Sequence, residues 1–258
     1  MKKITKVGLS ALAGALAISS ANAGEVSISG AMEITYITGS GYQDTGNGFG
    51  KDNEFTITAS TELDNGTSVA YKRTVNESFA GNDSELSFGK TFGTIAMTSA
   101  GSPISAIDDK TPTAFEEANA QVGSIDDVNG MDGTFGVRYT LADVMGSGMS
   151  LDAMWSPVHG TGDTHGDQGS SVAHGNGDAV EVTLTGSVPM VEGLSLGIGY
   201  ANLEEIRDYT GTVGASTDDQ DEGTGYITYA YGPFTAGYQV SAVSVGTSNT
   251  LYKTEYIG

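Results

Sequence analysis

The chain has 258 residues, with 11 Lys+Arg against 32 Asp+Glu, a formal net charge of −21 and no cysteine. That balance argues against a nucleic-acid or anionic-lipid partner, and the lack of cysteine excludes a small disulfide-held scaffold. Thirty-eight glycines against five prolines, with tyrosine the commonest aromatic, suit many strands joined by glycine-rich turns.

The first residues, Met1-Lys-Lys-Ile-Thr-Lys6, are basic; Val7–Ile18 is apolar and small, and Ala21-Asn22-Ala23 follows. This is the layout of a secretory signal peptide, expected to span 1–23 and leave a mature chain starting at Gly24. The apolar run is well short of the roughly 20 residues a membrane-spanning helix needs, and no comparable run occurs later. Without Lys2, Lys3 and Lys6 the chain keeps 8 basic residues against 32 acidic ones, a net −24. Residues 24–258 read as one domain.

Glu25–Ile37 alternates Val26, Ile28, Met32, Ile34 and Tyr36 with Ser27, Ser29, Glu33 and Thr35, which is a strand with two chemically different faces. Thr38–Asn53 reads as a long loop. Glu54–Leu63 alternates again, Phe55, Ile57 and Ala59 against Thr56, Thr58, Ser60 and Glu62, and Asp64-Asn65-Gly66 is a hairpin turn. Thr67–Ser78 and Ser84–Gly89 are the next strands, and Lys90–Gly93 turns into Thr94–Thr98.

Ser99–Gly130 shows no alternation, and an insert of that length inside a compact domain is usually functional or disordered. Strands resume at Thr134–Leu141, Met149–Trp155, Ala179–Val188 and Leu194–Ala201, with a long loop at Pro157–Asp178. A further long acidic loop is expected at Leu203–Gly223. Ile227–Tyr231, Phe234–Ala242 and Leu251–Gly258 complete about twelve strands.

Alternation alone fits either a soluble sandwich with an apolar core or a membrane barrel with an apolar outside. Three features favour the barrel: short connections at one end and mostly long ones at the other, aromatics near strand ends, and a polar face made of Ser, Thr, Gly and Glu. The fold class expected is therefore all-β, an antiparallel transmembrane β-barrel.

Gly24-Glu-Val-Ser-Ile-Ser-Gly30, Glu62-Leu-Asp-Asn-Gly66, Ser87-Phe-Gly-Lys-Thr-Phe-Gly93 and Phe135-Gly-Val-Arg-Tyr139, in that order behind the signal peptide, resemble a Gram-negative general porin. The resemblance covers essentially the whole chain. It implies a barrel of 16 strands in the outer membrane, usually a homotrimer, whose third external loop folds inward and sets carboxylates against basic residues on the wall. Two departures stand out: about twelve strands instead of sixteen, and an end at Tyr256-Ile-Gly258 where the family closes on an aromatic. A C-terminally incomplete chain is the simpler account; a closed barrel of twelve strands is the alternative, since lipid cannot satisfy an open edge.

The insert contributes Asp108, Asp109, Glu116, Glu117, Asp126 and Asp127 as candidates for a pore constriction, where carboxylates concentrate cations. The other reading of these residues is a solvated external loop. Thr113-Ala-Phe-Glu116 fits a capping box, with a short helix over Thr113–Gln121. Lys72, Arg138, Glu33, Glu62 and Glu181 fall on the polar strand face and are expected on the lumen wall, Lys72 or Arg138 opposing the insert. Arg73 has lipid-facing parity; either a bulge shifts the register or it sits at a rim or subunit contact. His159, His165 and His174 share one loop but match no metal motif, and Asp218–Glu222 lacks the pattern of a calcium loop.

No cofactor is expected. The reading is a passive, cation-preferring channel for small hydrophilic solutes. The alternatives are a surface receptor with acidic ligand-binding loops and, further off, an outer-membrane hydrolase, which needs a histidine on the wall that the sequence does not supply.

Overall fold

The computed structural model describes residues 14–15, 24–36, 49–76, 81–112, 128–159, 177–206, 218–245 and 250–258. Among them run thirteen strands: β1 (Gly14–Ala15), β2 (Glu25–Tyr36), β3 (Phe49–Glu62), β4 (Ser68–Asn76), β5 (Gly81–Lys90), β6 (Gly93–Thr98), β7 (Gly136–Leu141), β8 (Met149–Ser156), β9 (Ala179–Ser187), β10 (Leu194–Ile206), β11 (Asp218–Tyr231), β12 (Phe234–Val245) and β13 (Thr250–Ile257). They form one antiparallel sheet in sequence order, β1 to β13. Twelve of the thirteen lie after residue 24 and correspond one to one with the strands expected. The order is linear, each strand beside the next in sequence.

The chain divides into two compact units, residues 1–88 and 89–258. In the first, β2 and β3 pair without interruption from Glu25↔Ser60 to Tyr36↔Phe49. β3 therefore starts at Phe49, and 49–53 do not belong to the loop expected there. The rings of Tyr36 and Phe49 meet at 4.7 Å and close the far end of the ladder. At the other end of β3 the Asp64-Asn65-Gly66 turn leads into β4; Gly66 takes φ +76 and the Thr67 amide donates to Asn65 Oδ1 at 3.0 Å. The β3–β4 register is continuous from Glu54↔Asn76 to Glu62↔Ser68, which removes a bulge as the explanation of Arg73. Arg73 stands opposite Ile57, exposed on the apolar face.

In the second unit tight turns follow β5 (Gly93, φ +121), β7 (Asp143–Gly148), β9 (Gly193, φ +83) and β11 (Gly232, φ +59). The two ends of the acidic loop expected at Leu203–Gly223 are strand, and its middle lies outside the described residues: β10 and β11 pair from Leu194↔Tyr229 through Leu203↔Gln220 to Ile206↔Asp218, with an irregularity after Leu203. Aspartate is a poor strand former, so a run such as Asp218-Asp-Gln-Asp-Glu222 hides its period. The alternation is nevertheless real. Asp221 accepts hydrogen bonds from Tyr200 Oη (2.5 Å) and Asn202 Nδ2 (3.0 Å) on one face, while Glu222 is buried on the other. These positions are strand.

The distribution of burial decides between sandwich and barrel. Ile198 is 61% and Phe234 75% exposed, with Val137, Trp155, Val182, Ile227 and Tyr229 also uncovered, whereas Glu181 and Gln239 are 0% exposed. A sheet that buries glutamate and leaves isoleucine bare is inside-out for water and correct for lipid.

Candidate functional site

The insert is seated on the polar face of the second unit's sheet. Pairing sets three cross-strand rows there: Glu181–Ala201–Glu222–Val243, Thr183–Gly199–Thr224–Ser241 and Thr185–Gly197–Tyr226–Gln239. The insert leaves β6 through Thr98, whose hydroxyl accepts the Ala100 amide at 2.9 Å. Ser102 and Ser105 then each accept the other's amide, at 3.3 and 3.2 Å, opening a single 3-10 turn over Ser105–Ile107. Ile104 and Ile107 point down and are buried.

Three side chains of the sheet hold this segment. Glu181 Oε2 accepts the Ile104 amide at 3.1 Å, and its Oε1 accepts the Met131 amide on the returning leg. One carboxylate thus ties together residues 27 positions apart. Glu222 Oε2 accepts the neighbouring Gly130 amide at 2.8 Å. Gln239 accepts the Lys110 amide at 2.8 Å and donates through Nε2 to the carbonyls of Ile107 (2.8 Å) and Asp108 (2.7 Å). Thr224, bonded to Ser241 at 2.9 Å, fixes that amide in turn. Backbone amides are what a buried carboxylate needs, since each is a fixed donor that offsets lost hydration.

Apolar contacts complete the seat. Ile104 and Val128 pack on Ala201 and Val243, and Met131 on Met154, Ala179 and Leu203. Glycine makes room where the insert crosses. A Cβ at Gly199 would stand 2.9 Å from Ile107 Cδ1, and one at Gly237 2.6 Å from Pro112 Cδ. Gly130 has φ +52, and a Cβ there would overlap Glu181 Oε1 and Ile104 Cγ2, so no other residue fits both its backbone and its surroundings.

Of the constriction candidates, Asp109 has an exposed side chain 3.6 Å from Lys110, and Asp108 is half-buried beside it. Glu116, Glu117, Asp126 and Asp127, with the helix expected at 113–121, lie outside the described residues. Arg138 is on the polar face, and among the described residues its ion-pair partner is Asp152 of the adjacent β8, at 3.5 Å. Glu181 is also on that face, yet it is covered by the insert and does not border open water. Glu33, Glu62 and Lys72 are exposed on the polar face of the first unit, opposite Asp52, Ser68 and Thr58.

His159 is buried at the foot of its loop, its amide donating to the Gly177 carbonyl and its Nε2 2.7 Å from the Glu204 carbonyl. That position gives it a structural bond at a strand end. His165 and His174 lie outside the described residues. No group of three or more His, Asp or Glu able to hold a metal occurs among the described residues. Glu222, Gln239, Asp152 and Gly130 escaped the sequence reading. Glu222 fell in a stretch expected to be loop, and nothing in the chain marked Gln239 as a partner of the insert or Asp152 as the partner of Arg138.

A family model for the Gram-negative porin matches residues 8–257. The chain belongs to the Gram-negative porin family. No curated protein matches it. Membership accounts for the bare apolar face and the polar one: this porin lies in the outer membrane and is a channel for small solutes. The match is to a family of channels.

Proposed function

We propose that this porin is a passive, water-filled channel that prefers cations, with the 99–130 insert forming its narrowest part. The supporting observation is the seat of the insert. Both of its legs are fastened to polar-face carboxylates through Glu181 and Glu222, so the acidic middle of the insert is tethered at both ends on the side where water passes. Fixed carboxylates in such a passage raise local cation concentration and repel anions, and the mature net charge of −24 adds in the same direction. Residues 1–23 serve as the export signal, and three copies assemble in the membrane.

The test is the zero-current potential of the full-length gene product in a planar bilayer under a KCl gradient. Neutralising Asp108, Asp109, Glu116 and Glu117 together should move a cation-selective potential toward zero. An unchanged potential in that variant would place the filter elsewhere, and the absence of any conductance from the folded parent would end the channel reading.

A further inference from the structure

Between the insert and the sheet lies a cavity of about 230 Å³ lined by Pro103, Ala106, Ile107 and Lys110 on one side and by Arg138, Asp152, Thr183, Thr185 and Tyr226 on the other. It is smaller than the pockets that hold drug-sized molecules. Its two sides differ in kind. The insert presents a proline, an alanine and an isoleucine, while the strands present three hydroxyls, a guanidinium and a carboxylate. The charges cancel in place: Arg138 faces Asp152 at 3.5 Å and Lys110 faces Asp109 at 3.6 Å. A net anion meets Asp152 and a net cation meets Arg138, so neither is favoured by the cleft as a whole.

What the strand side offers is a row of alternating donors and acceptors. Asp152 Oδ1 takes both the Thr140 hydroxyl and Arg138 Nε, leaving Oδ2 without a partner among the described residues. The two Nη groups of Arg138 are pure donors, and the hydroxyls of Thr183, Thr185 and Tyr226 serve as either. The Tyr226 ring lies across Gly197, where a Cβ would overlap its Cε1 and stand 3.0 Å from Thr185 Cγ2. The glycine therefore lets the phenol reach in beside the threonines.

We propose that this cleft binds one sugar ring, or a neutral polyol of similar size, as a passing solute. Each hydroxyl of such a ring needs a donor and an acceptor, which the Arg138–Asp152 pair and the hydroxyls supply, and its C–H face matches the Pro103–Ala106–Ile107 side. The solute's access to the cleft rests on the channel reading; the cleft itself does not, so binding and conduction are read separately.

The experiment is calorimetric titration of D-glucose, and separately of sodium succinate, into the folded full chain in detergent micelles. Glucose should bind saturably and succinate should not. Asp152→Asn should weaken glucose binding about tenfold or more, because it removes an ionised acceptor, and Tyr226→Phe about threefold or more, because it removes one neutral hydroxyl. Tyr226→Phe keeps the ring over Gly197, so it preserves the fold even if the first variant does not. Absence of saturable glucose binding, equal binding by Tyr226→Phe and the parent, or tighter binding of succinate than of glucose overturns the proposal. Glucose binding by a protein that gives no current in a bilayer would sink the channel reading and leave the cleft as a sugar site.

Discussion

Replacing Glu181 by glutamine tests whether the insert is held as described. The parent carboxylate is fully buried and accepts two amides, Ile104 on one leg of the insert and Met131 on the other. Glutamine is nearly the same shape but has one acceptor oxygen, so its NH2 must face one of those amides. Losing one buried hydrogen bond costs about 1 kcal/mol, and stranding the buried amide that made it costs a further ~1–3 kcal/mol. A total near 3 kcal/mol corresponds to roughly a hundredfold rise in the population with the insert released. The measurement is amide hydrogen exchange on the protein folded in micelles. Protection at Ile104 and Met131 should fall about a hundredfold, while Val182, within the β9 ladders, should keep its protection. The Gly130 amide, held by Glu222 2.8 Å away, should lose less than Met131. Unchanged exchange at both Ile104 and Met131 would show that the apolar seat alone holds the insert and that Glu181 contributes nothing to it.

Gly130→Ala should release the returning leg, since a methyl group overlaps both Glu181 and Ile104 at a positive φ; faster proteolysis within 99–130 than in the parent checks it, and equal cleavage rates would refute it. Arg73→Leu removes a charge from the apolar face, and urea unfolding in micelles should show a gain of about 2 kcal/mol, the usual scale for a cation facing mid-bilayer. A loss of stability would instead place Arg73 against a protein neighbour. The chain has a single tryptophan, Trp155, whose Nε1 donates to Asp178 Oδ2 at 3.3 Å. A proton shared with the Glu204 carboxyl, and then the hydrogen bond from Trp155 Nε1, hold the Asp178 carboxyl below the usual aspartate range. Its folded-state pKa being lowered, the bond persists above the ordinary value and is lost as pH falls through the lowered one. Trp155 emission should therefore stay constant down to roughly pH 3.9, where a free aspartate titrates, and shift only below it; a midpoint above that pH, or the same transition in Asp178→Asn, would contradict the assignment.

The sequence by itself determined the strands, their turns and the chemistry of their two faces. Period-2 alternation needs no tertiary information, and Asn65-Gly66 or Gly232-Pro233 can hardly be anything but turns. It placed Glu181 and Arg138 on the polar face correctly for the same reason. It misjudged strand length wherever charge masked the period, as at Asp218–Glu222, because a ladder continues while the backbone can pair, whatever the local propensity. It also had no means of telling a carboxylate that lines water from one that holds a chain. Asp221 and Glu222 are neighbours of the same chemical class, yet one bonds Tyr200 on the apolar face and the other secures Gly130. Only the tertiary structure decided that Glu181 lies beneath the insert, that Arg138 pairs along the wall with Asp152, and that Gly199 and Gly237 mark the path by which the insert crosses. Those relations join residues from 14 to more than 100 positions apart, and at such distances it is the register of the sheet, not spacing along the chain, that sets who meets whom.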